Sequence, residues 1–166
     1  MERAVAYWLL PAEPARGLLG RKIARLAEQF EAVAFEPHAT VFVSRAGTRA
    51  PQEVLREMTP FEITLSVIGL AQSERFTQTL FVCLQGSDEL QNFADTIART
   101  CGEPPQPISD PHVSLLYAAL DERTRRHLAD ATMLSLGQIV FDSICAIEVE
   151  LPVQTVEDVR RWRRVA

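Results

Sequence analysis

The sequence is poor in cysteine and glycine, and neither residue type forms a functional motif. Its three cysteines, Cys83, Cys101 and Cys145, include no Cys-x-x-Cys pair, and two of them lie within apolar runs. An odd number of separated cysteines argues against a disulfide framework, so we expect a reducing, cytoplasmic location. The seven glycines are isolated from one another, which excludes a glycine-rich phosphate loop.

Metal-ligand spacings and long hydrophobic runs are also missing. There is no His-x-x-x-His pair and the carboxylates are scattered, so we predict neither a metal nor another cofactor. No apolar stretch reaches the roughly 18 residues of a membrane helix. The first apolar run, Arg3 to Leu10, is broken by Pro11, which is too early for a signal peptide. We therefore predict no association with membranes.

The net charge of the sequence argues against long nucleic acid as the ligand. The formal net charge is −5, whereas a protein that coats long nucleic acid needs a basic face to neutralise phosphates. One small phosphorylated ligand in a locally positive pocket remains compatible with this charge. The length of 166 residues predicts one domain over 1–166, and we expect a monomer.

Hydrophobic periodicity predicts an alternation of strands and helices. We predict strands over 3–10, 35–43, 61–70, 79–84, 111–117 and 139–151, and helices over 13–31, 51–59, 87–101 and 121–133. Ser87 and Asp121 are the expected N-caps, and Gly102 is the expected end of the third helix. The order strand, helix, then a strand entered through Pro-His occurs twice. This repeat predicts a duplicated unit, with two lobes facing each other across a cleft.

The repeated unit carries a matched pair of short motifs, Pro37-His38-Ala39-Thr40-Val41 and Pro111-His112-Val113-Ser114-Leu115. Both read proline, histidine, any residue, threonine or serine, then an aliphatic residue. Residues two apart on a strand point to the same face, so each histidine shares its face with a hydroxyl. Two such strands at one cleft would present two imidazoles and two hydroxyls to one ligand.

That set of side chains suits metal-free hydrolysis of a phosphodiester. A neutral imidazole accepts a proton from water, and a protonated one supplies the leaving ribose oxygen. The hydroxyls donate to the phosphate oxygens, where negative charge must be held. The motifs do not distinguish the base from the acid, and our working assignment takes His112 as the base and His38 as the acid. His127 lacks these neighbours and is predicted to be an exposed helix residue.

The two motifs resemble those of the two-histidine, LigT-like phosphoesterase superfamily. The segments Ala6 to Pro11 and Phe35 to His38, together with Tyr117, resemble its cyclic phosphodiesterase branch. The resemblance implies a bilobal α+β fold with antiparallel sheets lining a central cleft. It also implies a C-terminal strand, which in this chain is short.

The resemblance further implies a substrate and roles for residues. The substrate would be a 2′,3′-cyclic nucleotide or ADP-ribose 1″,2″-cyclic phosphate, hydrolysed to a phosphomonoester. His38 and His112 would be catalytic, and Thr40 and Ser114 would bind phosphate. Tyr117 would contact the nucleotide, although strict alternation places it on the opposite face from His112 unless the strand ends or twists. Trp8 is a second candidate contact, although such a tryptophan is more often a core residue.

Two other functions stay open from the sequence. One is processing of RNA ends that carry a 2′,3′-cyclic phosphate, or a 2′-5′ RNA ligase-like activity, for which RNA ends would be partners. A basic groove would favour it, and the acidic balance argues against it. The other is a nucleotide-binding module without catalysis, which the two intact histidine–hydroxyl pairs disfavour. The tail arginines Arg160, Arg161, Arg163 and Arg164 would form either a solvated face or a wall that attracts phosphate.

Overall fold

The computed structural model describes residues 1–166 as seven strands, five α-helices and one 3-10 turn. In chain order these are β1 (Glu2–Pro11), α1 (Ala15–Gln29), β2 (Ala39–Ser44), α2 (Pro51–Met58), β3 (Ile63–Gln72), the 3-10 turn (Phe76–Gln78), β4 (Leu80–Leu84), α3 (Asp88–Cys101), β5 (His112–Leu116), α4 (Glu122–Ala131), β6 (Gln138–Leu151), α5 (Val156–Arg160) and β7 (Arg163–Arg164). None of the helices has the length and apolar character needed to cross a membrane.

The predicted helix ends are confirmed by their hydrogen bonds. The Ser87 side chain accepts a bond from the backbone N–H of Leu90, and α3 ends at Gly102 in a left-handed conformation with φ of 78°. Such a φ suits glycine because it has no Cβ to collide with the backbone. The Asp121 side chain likewise accepts from the N–H of Thr124 at the start of α4. Local polar chemistry therefore sets these boundaries.

The strands form one antiparallel sheet in the order β2-β1-β6-β3-β4-β5, with β7 also paired to β6. The long strand β6 connects the two halves of the sheet. Its first residues pair with β3, from Gln138 to Phe141, and the rest pairs with β1 as far as Leu151. The sheet is therefore continuous, with β1 and β2 on one side of β6 and β3, β4 and β5 on the other.

Alternation along β1 separates two packed layers. Tyr7 and Leu9 point into the main core beneath the helices. Trp8 points to the other face, where it belongs to a smaller apolar cluster with Ala6 and Ile147. This second face borders the cleft, so the same strand supplies both core and site.

The strand predicted over 35–43 begins later, at Ala39, and His38 lies just before it. Pro37 has no N–H to give to a sheet ladder. The carbonyl oxygen of Glu36 accepts a hydrogen bond from the His38 ring instead of from a neighbouring strand. His112, by contrast, begins β5 as predicted.

Candidate active site

One large cavity brings the predicted site residues together. Its volume is about 580 Å³, which is within the usual range for small-ligand sites. β1 and β2 form one wall, β5 and the 3-10 turn form another, and the chain after β6 borders the side. All six predicted residues line it: Trp8, His38, Thr40, His112, Ser114 and Tyr117.

His38 is fixed by contacts on both sides of its ring and is only 5% exposed. Its Nδ1 lies 2.6 Å from the backbone carbonyl oxygen of Glu36, so this nitrogen carries a proton and donates it. The ring stacks on Trp8, with centroids 3.5 Å apart and planes 9° from parallel. In the neutral ring Nε2 is therefore the acceptor, and the Tyr117 hydroxyl lies 3.4 Å from it.

Burial lowers the pKa of His38 from its usual 6.5 to about 4. The hydrogen bond to the Glu36 carbonyl opposes this change because it stabilises the protonated ring, and a positive charge on His112 adds to it. At neutral pH His38 is consequently uncharged and has a lone pair available on Nε2.

His112 sits in a more open and more polar position, with 26% of its side chain exposed. Its Nδ1 lies 2.8 Å from the backbone carbonyl oxygen of Asp110. A carboxylate oxygen of Asp110 lies 4.0 Å from the same nitrogen, a distance that allows an ion pair with a protonated ring. Gln78 holds that carboxylate by donating a bond of 2.7 Å from Nε2 to Oδ2.

The two histidines are held by the same local device. In Glu36-Pro37-His38 and in Asp110-Pro111-His112 the ring Nδ1 bonds to the carbonyl oxygen two residues before it. This leaves Nε2 of each ring as the nitrogen without a backbone partner. In the sequence an acidic residue precedes each proline, a match that lies outside the Pro-His motif itself.

The two hydroxyls differ in their surroundings. Thr40 is exposed within the cavity and pairs in register with Trp8 of β1. Ser114 is buried at 3% exposure, and its hydroxyl donates a bond of 2.7 Å to the carbonyl oxygen of Thr77. The structure therefore presents Thr40 freely, while the Ser114 proton is already engaged. Thr77 lies in the 3-10 turn, and no sequence signal pointed to it.

Tyr117 reaches the cavity because β5 ends one residue earlier, at Leu116. Past the strand end the alternation that would have turned it away no longer applies. Its ring stacks on Phe35, with centroids 3.9 Å apart and planes 12° from parallel. Burial raises the pKa of the Tyr117 phenol far above its usual value, so the hydroxyl remains protonated and can donate toward His38.

The C-terminal segment contributes Trp162 to the cavity wall, a role that the sequence did not predict. A capping box at Thr155 and Asp158 starts α5, and the chain then places Trp162 against Trp8, with ring centroids 5.3 Å apart. The short β7 pairs with β6, so the reduced C-terminal strand is present. Arg164 lies 3.8 Å from the carboxylate of Glu36, which also pairs with Arg16 of α1.

The tail arginines do not line the cavity. Arg160, Arg161 and Arg163 pair with Glu157, Asp158 and Glu148 respectively. The alternative of a phosphate-attracting wall is thus not supported by their position. His127 is exposed on α4, away from the cavity. No group of three or more histidine, cysteine, aspartate or glutamate side chains is arranged to hold a metal ion.

Solved structures share this fold. No protein-family model matches the chain, and no curated protein matches it. E. coli LigT complexed with NADP+ gives a TM-score of 0.55 at 16% identity, covering 99% of this chain and 95% of that chain. E. coli LigT complexed with 3′-AMP gives 0.50 at 15% identity, with coverage of 99% and 95%. A phosphoesterase gives 0.51 at 14% identity, also with 99% and 95%. The LigT-like α+β fold implied by the motifs is therefore confirmed.

Proposed function

We propose that this chain is a two-histidine phosphoesterase that hydrolyses a cyclic phosphodiester on a small nucleotide without a metal. The observation that carries this proposal is the matched pair of imidazoles in one cavity. His38 and His112 each have Nδ1 bonded to a backbone carbonyl, so that Nε2 is left for proton transfer. Candidate substrates are a 2′,3′-cyclic nucleotide and ADP-ribose 1″,2″-cyclic phosphate.

The shared fold adds support for a nucleotide ligand. E. coli LigT has been crystallised with 3′-AMP and with NADP+, and its chain matches this one over nearly its full length. The cavity of about 580 Å³ has room for a nucleotide. A single domain over 1–166, a monomeric state and a cytoplasmic location remain predictions.

Burial favours His38 as the general base, which reverses our working assignment. The lowered pKa keeps its ring neutral, and a neutral Nε2 can accept a proton from water. His112 is the other imidazole of the pair and then takes the role of the acid, with the Asp110 carboxylate 4.0 Å from its Nδ1.

The reaction balances with water as the second reactant. Water attacks phosphorus and loses a proton to Nε2 of His38 as the new P–O bond forms. One ribose P–O bond breaks, and its oxygen takes the proton from Nε2 of His112. The product is a ribose phosphomonoester with one free hydroxyl. His38 then loses its proton and His112 regains one through solvent, which restores the starting state.

The hydroxyls stabilise the charge that develops on the phosphate. Thr40 is free to donate to a non-bridging oxygen in the cavity. Ser114 must turn its proton from the Thr77 carbonyl toward the phosphate, so its contribution is expected to be the smaller one. The Tyr117 hydroxyl lies 3.4 Å from Nε2 of His38 and must turn its proton away before that nitrogen accepts one from water. Trp8 stacks on the His38 ring and holds its orientation.

Hydrolysis of 2′,3′-cyclic AMP in the presence of a chelator tests the proposal. We expect turnover to a monophosphate at the same rate with and without chelator. Loss of turnover in chelator would contradict a metal-free mechanism. Joining of RNA ends, or processing of RNA ends without action on mononucleotides, would favour the RNA-directed function. Binding without turnover would favour the non-catalytic module.

A further inference from the structure

The cavity extends well beyond the two histidines. Residues two apart on a strand share a face, and Glu2, Ala6 and Trp8 of β1 all line the cavity. At the usual rise per residue, Glu2 lies about 20 Å along the strand from Trp8. A nucleoside monophosphate bound at the histidines is shorter than this distance, so the cavity has length to spare.

Small and apolar side chains form the middle of this extension. Ala6 lies opposite Val43 of β2 and Ile147 of β6. Its single methyl group leaves space for a ligand between these larger neighbours. The β6 side of the cavity is bordered by Val149, Leu151, Pro152 and Val153. A channel with apolar walls favours the flat faces of a nucleobase over a charged group, which would lose its hydration there.

A charged pair marks the far end. The Arg45 guanidinium lies 2.5 Å from the Glu2 carboxylate, and both side chains are about half exposed, at 54% and 52%. Such an exposed ion pair adds little to stability. Its free donors and acceptors can, however, bond to the edge of a base, as arginine and glutamate side chains do in nucleic-acid recognition.

We propose that this groove, defined by Glu2, Ala6, Val43, Arg45 and Val149, binds a further nucleoside of the substrate. The unit at the histidines, a nucleoside or the terminal ribose of an ADP-ribose, carries the cyclic phosphate. The base of the further nucleoside packs its faces on the apolar walls and presents its edge to the charged pair. The inference rests on the proposed function and extends it, because the preferred substrate then carries a nucleoside in addition to the cyclic phosphate unit. A dinucleotide and an ADP-ribose both supply such a nucleoside.

Binding of reaction products tests the groove without depending on turnover. Calorimetry on the intact protein compares adenosine 3′-monophosphate, the adenosine dinucleotide that ends in a 3′-phosphate, and ADP-ribose 1″-phosphate. We expect at least one of the longer ligands to bind about tenfold more tightly than the mononucleotide, from apolar contact over the groove. The longer ligand that gains identifies the source of the further nucleoside.

Three variants show whether the groove causes the tighter binding of the longer ligand. Arg45→Ala removes the donor at the far end, and Ala6→Leu fills the space above Ala6. Both should abolish the difference in affinity between the longer ligand and the mononucleotide. Arg49→Ala is the matched control, because Arg49 follows on the same loop but does not line this cavity, and it should keep this difference. If Ala6→Leu does not fold, Arg45→Ala carries the test alone, since Arg45 is exposed.

The outcomes separate this inference from the proposed function. Equal affinities for all three ligands overturn the groove proposal, even in a protein that hydrolyses cyclic nucleotides. A difference in affinity that survives Arg45→Ala overturns it as well. Tighter binding of the longer ligand that is lost in Arg45→Ala supports the groove, whether or not the wild-type protein hydrolyses cyclic phosphates. A wild-type protein that leaves cyclic phosphates intact would contradict the proposed function instead.

Discussion

Lowering the pH is expected to destabilise the protein through His38. The pKa of about 4 in the folded chain lies below the ordinary 6.5, so between these values the unfolded chain binds the proton and the folded chain does not. Stability therefore falls as the pH drops from about 6.5 toward 4, and the loss levels off below that. At 1.36 kcal/mol per pKa unit, this difference amounts to about 3 kcal/mol of the free energy of unfolding.

The variant His38→Gln isolates this contribution, because glutamine does not titrate and the other groups are common to both proteins. Denaturant unfolding at several pH values between about 7 and 4 gives the free energy of unfolding of each protein. The stability of the wild type relative to the variant should shrink by about 3 kcal/mol over this range. His127→Gln is the matched control, since His127 is exposed and should follow the wild type.

A difference in the free energy of unfolding between the wild type and His38→Gln that stays constant from about pH 7 to pH 4 would refute this prediction. It would mean that His38 titrates alike in the folded and unfolded chain, and so that its ring is not held neutral by burial. The assignment of His38 as the base would lose its physical basis with it, because that assignment depends on the same buried, uncharged ring.

Three further predictions concern activity and packing. If His38 is the base, kcat/KM should hold steady as the pH falls through 6.5 and decline only near 4; a pH–rate profile with an acid midpoint near 6.5 would contradict this. Thr40→Val should lower kcat by about a hundredfold through loss of a donor to the phosphate, while Thr40→Ser restores most of it; steady-state kinetics that leave Thr40→Val unimpaired would remove Thr40 from the site. Trp8→Ala should lower the free energy of unfolding by about 3 to 5 kcal/mol, because the ring is buried between His38 and Trp162; an effect below about 1 kcal/mol in denaturant unfolding would show that Trp8 has no packing role.

The parts of the site that could be predicted from sequence depend on neighbouring residues. The Pro-His pairs, the hydroxyl two residues on, and the caps at Ser87 and Asp121 are local patterns with local physical causes. The duplication added long-range information, because two copies of one motif predicted two halves of one cleft. The four polar residues of these motifs, His38, Thr40, His112 and Ser114, line the same cavity as that duplication predicted.

The missed features depend on contacts between distant parts of the chain. Trp162 borders the cavity only because α5 turns the tail back across β6. The engagement of Ser114 with the Thr77 carbonyl joins β5 to a turn that precedes β4. The burial of His38 comes from Trp8 in β1 and from Tyr117 just after β5, so no local sequence pattern predicted the low pKa that reverses the acid and base roles.

Turnover of 2′,3′-cyclic AMP by histidine variants tests the acid–base pair most directly. His38→Ala and His112→Ala should each lower kcat by about a thousandfold, and the double variant should lose little more, because the two groups act in one step. All three should still bind 3′-AMP, and His127→Ala should match the wild type. A folded His38→Ala or His112→Ala variant with the kcat of the wild type would contradict the proposed mechanism.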